Sequence, residues 1–186
     1  VVLPQRDVRG DRDVRRPIRI DVDRALILPQ HEIGMGNAGD DPGVEAGGAV
    51  LRYGGFYGPG ATDDVVGLVR KRRFPLVGSG AGYFNWVHLD DAASATVLAV
   101  EQQAKGVFNI VDDEPARVSE WLPHLAECAG AKRPMRVPKW VAQLLAGEMV
   151  KVLTEGRAFS NAKAKRELGW ELRYPSWRQG FKEDLA

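Results

Sequence analysis

Two patterns divide the chain. Over residues 1–48 apolar and charged positions follow neither a helical period nor the alternation of a strand, and Arg and Asp recur irregularly from Arg6-Asp7 to Asp23-Arg24. From Ala49 the pattern is regular. Ala49-Val50-Leu51 followed by Tyr53 predicts a strand. Gly54, Gly55, Gly58, Pro59 and Gly60 end it in a loop. Asp63 or Asp64 then caps a short helix bearing Val65, Val66, Leu68 and Val69, and Arg70-Lys71-Arg72-Arg73 suits its C-terminal dipole. Phe74 to Val77 and Tyr83 to Leu89 read as two strands of a hairpin turned by Gly78-Ser79-Gly80-Ala81-Gly82.

Asp90-Asp91 caps the next helix, which runs to about Gln103, and its small residues Ala92, Ala93, Ala95 and Ala99 suit close packing on a sheet. Val107 to Val111 is short and apolar enough for a buried strand. Strand, helix and strand in that order form half of a parallel α/β arrangement. Three more helices follow. One is capped by Ser119, bears Trp121, Leu122, Leu125 and Ala126, and holds Pro123 in its first turn. The next opens at Val137-Pro138 with an apolar stripe of Val141, Leu144, Leu145, Met149, Val152 and Leu153. A short one is capped by Ser160 or Asn161 and stopped by Leu168-Gly169-Trp170. Tyr174-Pro175-Ser176-Trp177 leads to a closing segment with Phe181 and Leu185.

Composition sharpens the break at the N-terminal arm. None of the five tryptophans, four tyrosines and six phenylalanines precedes Tyr53, and residues 1–48 contain no lysine. Three readings stay open for that arm: a disordered segment, a stretch of GC-rich DNA read out of frame, or an ordered subdomain. Charge excludes more than it suggests. With 26 Lys and Arg against 25 Asp and Glu, the net +1 gives no reason to expect nucleic acid or an anionic membrane. The single cysteine, Cys128, forms no intrachain disulfide and fits a reducing compartment. No apolar run approaches the roughly 18 residues of a membrane span, and no secretory h-region opens the chain, so the expected location is cytoplasmic.

Candidate chemistry is sparse. Gly34-Met35-Gly36-Asn37-Ala38-Gly39 spells the dinucleotide fingerprint, but Asp40-Asp41-Pro42-Gly43 follows it where a helix N-terminus belongs. Gly78 to Gly82 fails the same test, since a strand follows. Ser160-Asn161-Ala162-Lys163 spells Ser-x-x-Lys without the partner motifs of serine acylases, and reads as an N-cap beside a solvated lysine. His31, His88 and His124 are too scattered for a metal site, and His88 alternates with apolar neighbours, so it is expected on the less apolar face of its strand. There is no nucleophile triad or paired-carboxylate site; Asp90-Asp91 and Asp112-Asp113 read as a cap and a loop.

Four blocks carry a resemblance when taken in order and spacing: Leu51-Arg52-Tyr53-Gly54-Gly55-Phe56-Tyr57-Gly58-Pro59; Trp86-Val87-His88-Leu89-Asp90-Asp91-Ala92-Ala93-Ser94-Ala95; Gly106-Val107-Phe108-Asn109-Ile110; and Lys163-Ala164-Lys165-Arg166-Glu167-Leu168-Gly169-Trp170. Residues 49–186 resemble the C-terminal portion of the NAD-dependent epimerase/dehydratase family, the extended short-chain dehydrogenases/reductases. The resemblance implies an α/β fold: an incomplete Rossmann-type unit holding the C-terminal strands, plus a small α-rich substrate-binding region, behind an irregular N-terminal arm at 1–48. It implies NAD or NADP as cofactor, with Tyr53 and Gly54 approaching it and Gly55 and Phe56 facing a small-molecule substrate. Many sugar-nucleotide members carry an arginine where this sequence has Phe84, and a phenylalanine cannot clamp a diphosphate. Arg157, with Arg52, is the remaining cation near the implied substrate site.

Two family motifs are absent. No tyrosine has lysine four residues on, so the Tyr-x-x-x-Lys pair is missing, and no Gly-x-x-Gly-x-x-Gly loop precedes Ala49 in the right context. The expectation is therefore an oxidoreductase or epimerase of this family that is truncated and inactive as written, with no catalytic residue and no metal. The alternative is a non-catalytic interaction or scaffold protein that retains the C-terminal module. No nucleic acid or membrane partner is expected, and a homo-oligomer, or a second chain supplying the missing half, stays open.

Overall fold

The structure is a computed structural model that describes residues 47–146 and 149–185. The readings of the arm at 1–48, of the Gly34–Gly39 spelling and of His31 therefore lie outside the described residues, apart from Gly47 and Gly48. Eight strands and seven helices occur among the described residues. In chain order they are β1 (Ala49–Tyr53), β2 (Gly55–Tyr57), α1 (Asp63–Arg70), β3 (Leu76–Val77), β4 (Tyr83–Phe84), β5 (Trp86–His88), α2 (Leu89–Glu101), β6 (Gly106–Ile110), β7 (Ala116–Arg117), α3 (Val118–Cys128), β8 (Arg136–Val137), α4 (Lys139–Ala146), α5 (Met149–Glu155), α6 (Ala162–Leu168) and α7 (Trp177–Asp184).

The expected α/β unit is present, as four two-stranded pairings rather than one wide sheet. β1 and β6 run parallel, from Ala49 opposite Gly106 to Tyr53 opposite Ile110. β2 and β5 run parallel, from Gly55 opposite Trp86 to Tyr57 opposite His88. The connection from β5 through α2 to β6 has the length of a crossover. Ala92, Ala95 and Ala99 are buried on the face of α2, as their size predicts, whereas Ala93, expected with them, is exposed on the other side of the helix.

The Phe74–Leu89 hairpin does not form. β3 pairs in parallel with β8, β4 pairs antiparallel with β7, and β5 joins β2. Periodicity registered the apolar positions correctly but could not say which partner each would take. Trp86 buries in one apolar cluster and Val87 in another. Successive strand residues point to opposite faces, so β5 divides two cores. One core gathers Tyr57, Trp86, Trp121, Trp177 and Phe181. The other gathers Ala49, Val87, the α2 alanines, Phe108, Ile110, Leu168 and Trp170.

Several boundaries shift by a residue or two for identifiable reasons. Thr62, not Asp63 or Asp64, caps α1, and its hydroxyl donates to Gly58 O at 2.9 Å, closing the loop after β2. His88 caps α2: its Nδ1 accepts from Asp90 N at 3.1 Å, which leaves Asp90 and Asp91 in the first turn where the dipole favours them. His88 is buried, against the expected orientation. Arg117 precedes α3, so Ser119 is inside the helix and Pro123 lies beyond the first turn. The long stripe after Pro138 is two helices, and Leu144 is 80% exposed rather than part of a buried face. α6 matches its reading, capped at Asn161 and closed by Gly169 in the left-handed conformation at φ 62°. No described helix is long and apolar enough to cross a membrane.

Candidate functional site

The run from Ala49 to Tyr57 changes partner at Gly54. Gly54 N donates to Ile110 O at 3.0 Å, and Gly55 N donates to Asn85 O at 2.7 Å. The chain leaves β6 and joins β5 within one residue, at the carboxyl ends of β1 and β6. In open α/β sheets this end of the strands is where ligands bind. The space is tight. A Cβ on Gly54 would lie 2.5 Å from Asn85 O, and one on Gly55 would overlap the Phe84 ring. Gly54 meets backbone that cannot swing away, so Gly54→Ala should destabilise the fold by about 1–3 kcal/mol. Gly67→Ala, on α1 with nothing within 4 Å of its added methyl, should instead stabilise by about 1 kcal/mol. Urea unfolding of the two variants checks both; a similar midpoint for both would remove the steric account of Gly54.

The implied site residues divide into two groups. The Tyr53 hydroxyl bonds Thr96 Oγ1 on α2 at 2.5 Å, and its ring lies 5.4 Å from that of Phe56. Burial raises the Tyr53 hydroxyl above its ordinary range, with the Thr96 bond offsetting part of the effect. Tyr53 and Phe56 thus lie together on the α2 side, half-buried against the second core. Arg52 stands opposite Asn109 in β6.

The second group surrounds Asn85. Phe84 covers Gly55 and packs on Trp86, ring centroids 4.4 Å apart, and on Trp121 at 5.9 Å. Arg157 is exposed, but its carbonyl accepts from Asn85 Nδ2 at 2.8 Å, and Phe159 N donates to Asn85 Oδ1 at 2.8 Å. Asn85, 1% exposed, therefore meets Gly55 through its backbone carbonyl and the Arg157–Phe159 segment through its side chain. Sequence reasoning passed over Asn85. A signal was available, since an amide between Phe84 and Trp86 in an apolar strand must find partners when buried.

A second polar cluster lies behind β5. Each aspartate pair splits into a solvent-side and a buried member. Asp90 is exposed, whereas Asp91 accepts from Arg173 N and Tyr174 N at 2.8 and 2.9 Å. Asp113 pairs with Lys165, whereas buried Asp112 accepts from Trp177 N at 2.9 Å. Burial pushes the Asp112 carboxyl up to about 8, against the lowering effect of backbone N–H bonds from Trp177 and Glu114. Burial, then the charges of Asp112, Asp91 and Asp184, raises the Tyr57 hydroxyl far above the phenol range. Because His88 Nδ1 accepts from Asp90 N, the hydrogen bonds assign its ring proton to Nε2, 3.4 Å from Asp184 Oδ2. The His88 ring stacks on Tyr174 with centroids 3.8 Å apart. These groups fasten residues 173–184 onto β5 and the end of β6. They are buried in the fold and act as a latch.

Ser160 and Lys163 do not form a nucleophile and base. Ser160 Oγ accepts from Ala162 N at 3.2 Å, and Lys163 Nζ donates to Val107 O at 3.0 Å. Among the described residues no cluster of three or more His, Cys, Asp or Glu could hold a metal ion. The Gly-rich turn from β2 into α1 was a further place for a phosphate. It opens on Asp63 and Asp64, whose charge repels a pyrophosphate, and the Thr62 side chain already occupies the Gly58 amide. That turn thus does not fit a pyrophosphate.

Parallel strands joined through a helix of small residues, with a glycine break at their carboxyl ends, define a Rossmann-type α/β unit. Comparison with known proteins makes the assignment more specific. The chain is 44% identical over 139 residues to a 3-diazoavenalumate denitrifying reductase of a Streptomyces species, covering 72% of this chain and 46% of that protein. It is 32% identical over 99 residues to an SDR39U1 homologue of the epimerase family in Arabidopsis thaliana, covering 53% of this chain and 28% of that protein. The crystal structure of human epimerase family protein SDR39U1 with NADPH superposes with a TM-score of 0.65 at 24% identity, over 74% of this chain and 48% of that one. No family model matches the chain. These relatives and neighbours are of the NAD-dependent epimerase/dehydratase family, the extended short-chain dehydrogenases/reductases, and the chain matches part of such a protein. It spans less than half the length of these relatives.

Proposed function

We propose that residues 49–186 form the substrate-side wall of an NAD(P)-dependent reductase, with residues 1–48 a separate segment outside this module. The observation that carries the reading is the change of partner at Gly54, which sets a glycine pair at the carboxyl ends of two parallel strands. Tyr53 and Gly54 form its cofactor side; Gly55, Phe56, Phe84 and Arg157 form its substrate side. The name of the Streptomyces relative favours reduction over epimerisation. Phe84, where sugar-nucleotide members have arginine, favours a substrate without a diphosphate.

This chain by itself does not transfer hydride in the proposal. Its four tyrosines lack a lysine four residues on. The Tyr57 hydroxyl is buried and driven toward its neutral form, so it is no proton carrier. The phosphate loop and the Tyr-x-x-x-Lys pair would come from outside this sequence. Calorimetric titration with NADPH and with NADH tests the reading directly. The expected result is no saturable binding to the purified chain at micromolar cofactor. Micromolar affinity, or oxidation of NADPH at 340 nm by this chain alone with any carbonyl or diazo substrate, would overturn it.

A further inference from the structure

The fold joins two runs of cations into one surface, and we propose that this surface docks the protein onto an anionic lipid bilayer. The surface lies at the ends of α1 and α3, and the proposal is independent of the Gly54 junction.

The two runs are far apart in sequence. Arg70-Lys71-Arg72-Arg73 ends α1, and Lys132, Arg133 and Arg136 follow α3. The helices stop side by side: Arg70 Nε donates to Ala129 O at 3.2 Å, across 59 residues of sequence. Further on, the pairing of β3 with β8 holds the same segments together, with Leu76 N donating to Met135 O at 2.8 Å and Leu76 opposite Arg136. A side-chain bond at one end and a strand pairing at the other thus bracket 70–76 against 129–136. The seven cations on these segments are all exposed. The net charge of +1, which gave no reason to expect an anionic membrane, averages over residues that the fold sets apart.

Helix ends account for little of this charge. Each C-terminus carries about half a negative charge, so the two together offset about one cation of the seven. Among the described residues no carboxylate forms an ion pair with any of them. Arg72 also sits in a costly conformation. It closes α1 at φ 57°, with Arg73 N donating to Leu68 O at 2.8 Å, where α3 and α6 place Gly130 and Gly169. A cation occupies a position that glycine would fill with less strain.

Exposed apolar side chains continue from the same segments. Leu68 is on α1, Met135 stands between Arg133 and Arg136, and α4, directly after β8, presents Trp140 at 69% and Leu144 at 80% exposure one turn apart. Nucleic acid phosphates would satisfy the cations and leave these side chains in water. An acidic protein would need a matching pocket for each of them. A bilayer interface takes both kinds without such a match: anionic headgroups attract clusters of Lys and Arg, and Trp and aliphatic side chains settle at headgroup level.

The test sediments the purified chain with vesicles of phosphatidylcholine alone and of an equimolar mixture with phosphatidylserine. The expected result is salt-sensitive binding to the mixture and none to phosphatidylcholine. Trp140 reports the apolar contact, because Trp86, Trp121, Trp170 and Trp177 are buried. Its emission should shift to the blue on binding, and Trp140→Ala should remove the shift. The double variant Lys71→Glu with Arg73→Glu should abolish binding. Lys105→Glu with Arg166→Glu makes the same change of net charge elsewhere and should largely retain it. Arg72→Gly should weaken binding about fivefold without lowering the thermal midpoint, so its loss does not come from unfolding. Equal losses in the two double variants would overturn the proposal, as would binding to phosphatidylcholine alone, an unshifted Trp140 spectrum on the bound protein, or unchanged binding in Arg72→Gly. Displacement from the mixed vesicles by a single-stranded oligonucleotide or by polyglutamate at equal charge would overturn it in favour of nucleic acid or an acidic protein. No cofactor enters the assay, so its outcome is separate from that of the NADPH titration.

Discussion

Replacing Asp91 by alanine should cost about 3–5 kcal/mol of stability, whereas replacing its neighbour Asp90 should cost less than about 1 kcal/mol. Both lie in the first turn of α2, so both lose the same favourable interaction with the helix dipole. The difference lies in what each carboxylate holds. Asp90 has a 58% exposed side chain and contributes a 3.6 Å pair with Arg173 in solvent. Asp91 is 2% exposed, and its two oxygens take the backbone N–H groups of Arg173 and Tyr174. Alanine at 91 leaves two backbone donors without partners beneath Trp170, each worth about 1–3 kcal/mol. The segment they belong to then leads through Tyr174, stacked on His88, into α7. Urea unfolding of the two variants gives the comparison, and equal midpoints would show that the double bond to 173–174 is not what anchors the C-terminal segment.

The sequence disclosed this site unevenly. The Asp90-Asp91 pair was visible as a helix start, because the periodic run from Ala92 needs an acidic first turn. The buried role of Asp91 was not, since its partners are main-chain amides some 80 residues away that have no signature of their own. The same physics explains the failed hairpin. Phe74–Val77 and Tyr83–Leu89 have strand composition, but a strand's register is set by whichever partner buries its side chains. Trp86 is drawn into the cluster of Trp121, Trp177 and Phe181, elements that lie up to 95 residues further on. Local pattern succeeded where the cause is local, in the buried alanines of α2 and the glycine stop of α6, but the loop expected from Gly54 is a one-residue break, because Gly55–Tyr57 pairs with β5 as β2. At the candidate site, Gly54, Gly55, Phe84 and Arg157 were accessible only through resemblance. Asn85, which links them, was accessible through neither resemblance nor period.

Asp112→Asn should make the protein more stable at pH 8 and remove a pH dependence expected of the native chain. In the fold the Asp112 carboxyl titrates at about 8, raised chiefly by burial, with Glu114 and Asp113 adding to the rise and the Trp177 and Glu114 amides opposing it. Unfolded, it titrates near the ordinary carboxylate value of about 4. Below that value both states hold the proton, and the group's contribution is fully present. Between about 4 and 8 the unfolded chain gives up the proton while the folded chain keeps it, so stability falls as pH rises through this window and levels off above the folded value. The loss attributable to Asp112 is on the order of 3–5 kcal/mol across the window. Asparagine keeps an oxygen for Trp177 N and has no charge to bury. Other groups titrate in the same range, so the informative quantity is the native chain's unfolding free energy minus that of Asp112→Asn, measured in urea at pH 5 and pH 8. The native chain should lose ground to the variant as pH rises, and two parallel profiles would mean that Asp112 is ionised in the fold at neutral pH. The direction matters for the candidate site because Asp112 follows β6, the strand that sets the register of β1 up to Gly54. Its N–H bonds Trp86 O at 2.7 Å beside Asn85. Ionising Asp112 would load the junction between β6, β5 and α7 next to the Gly54 break.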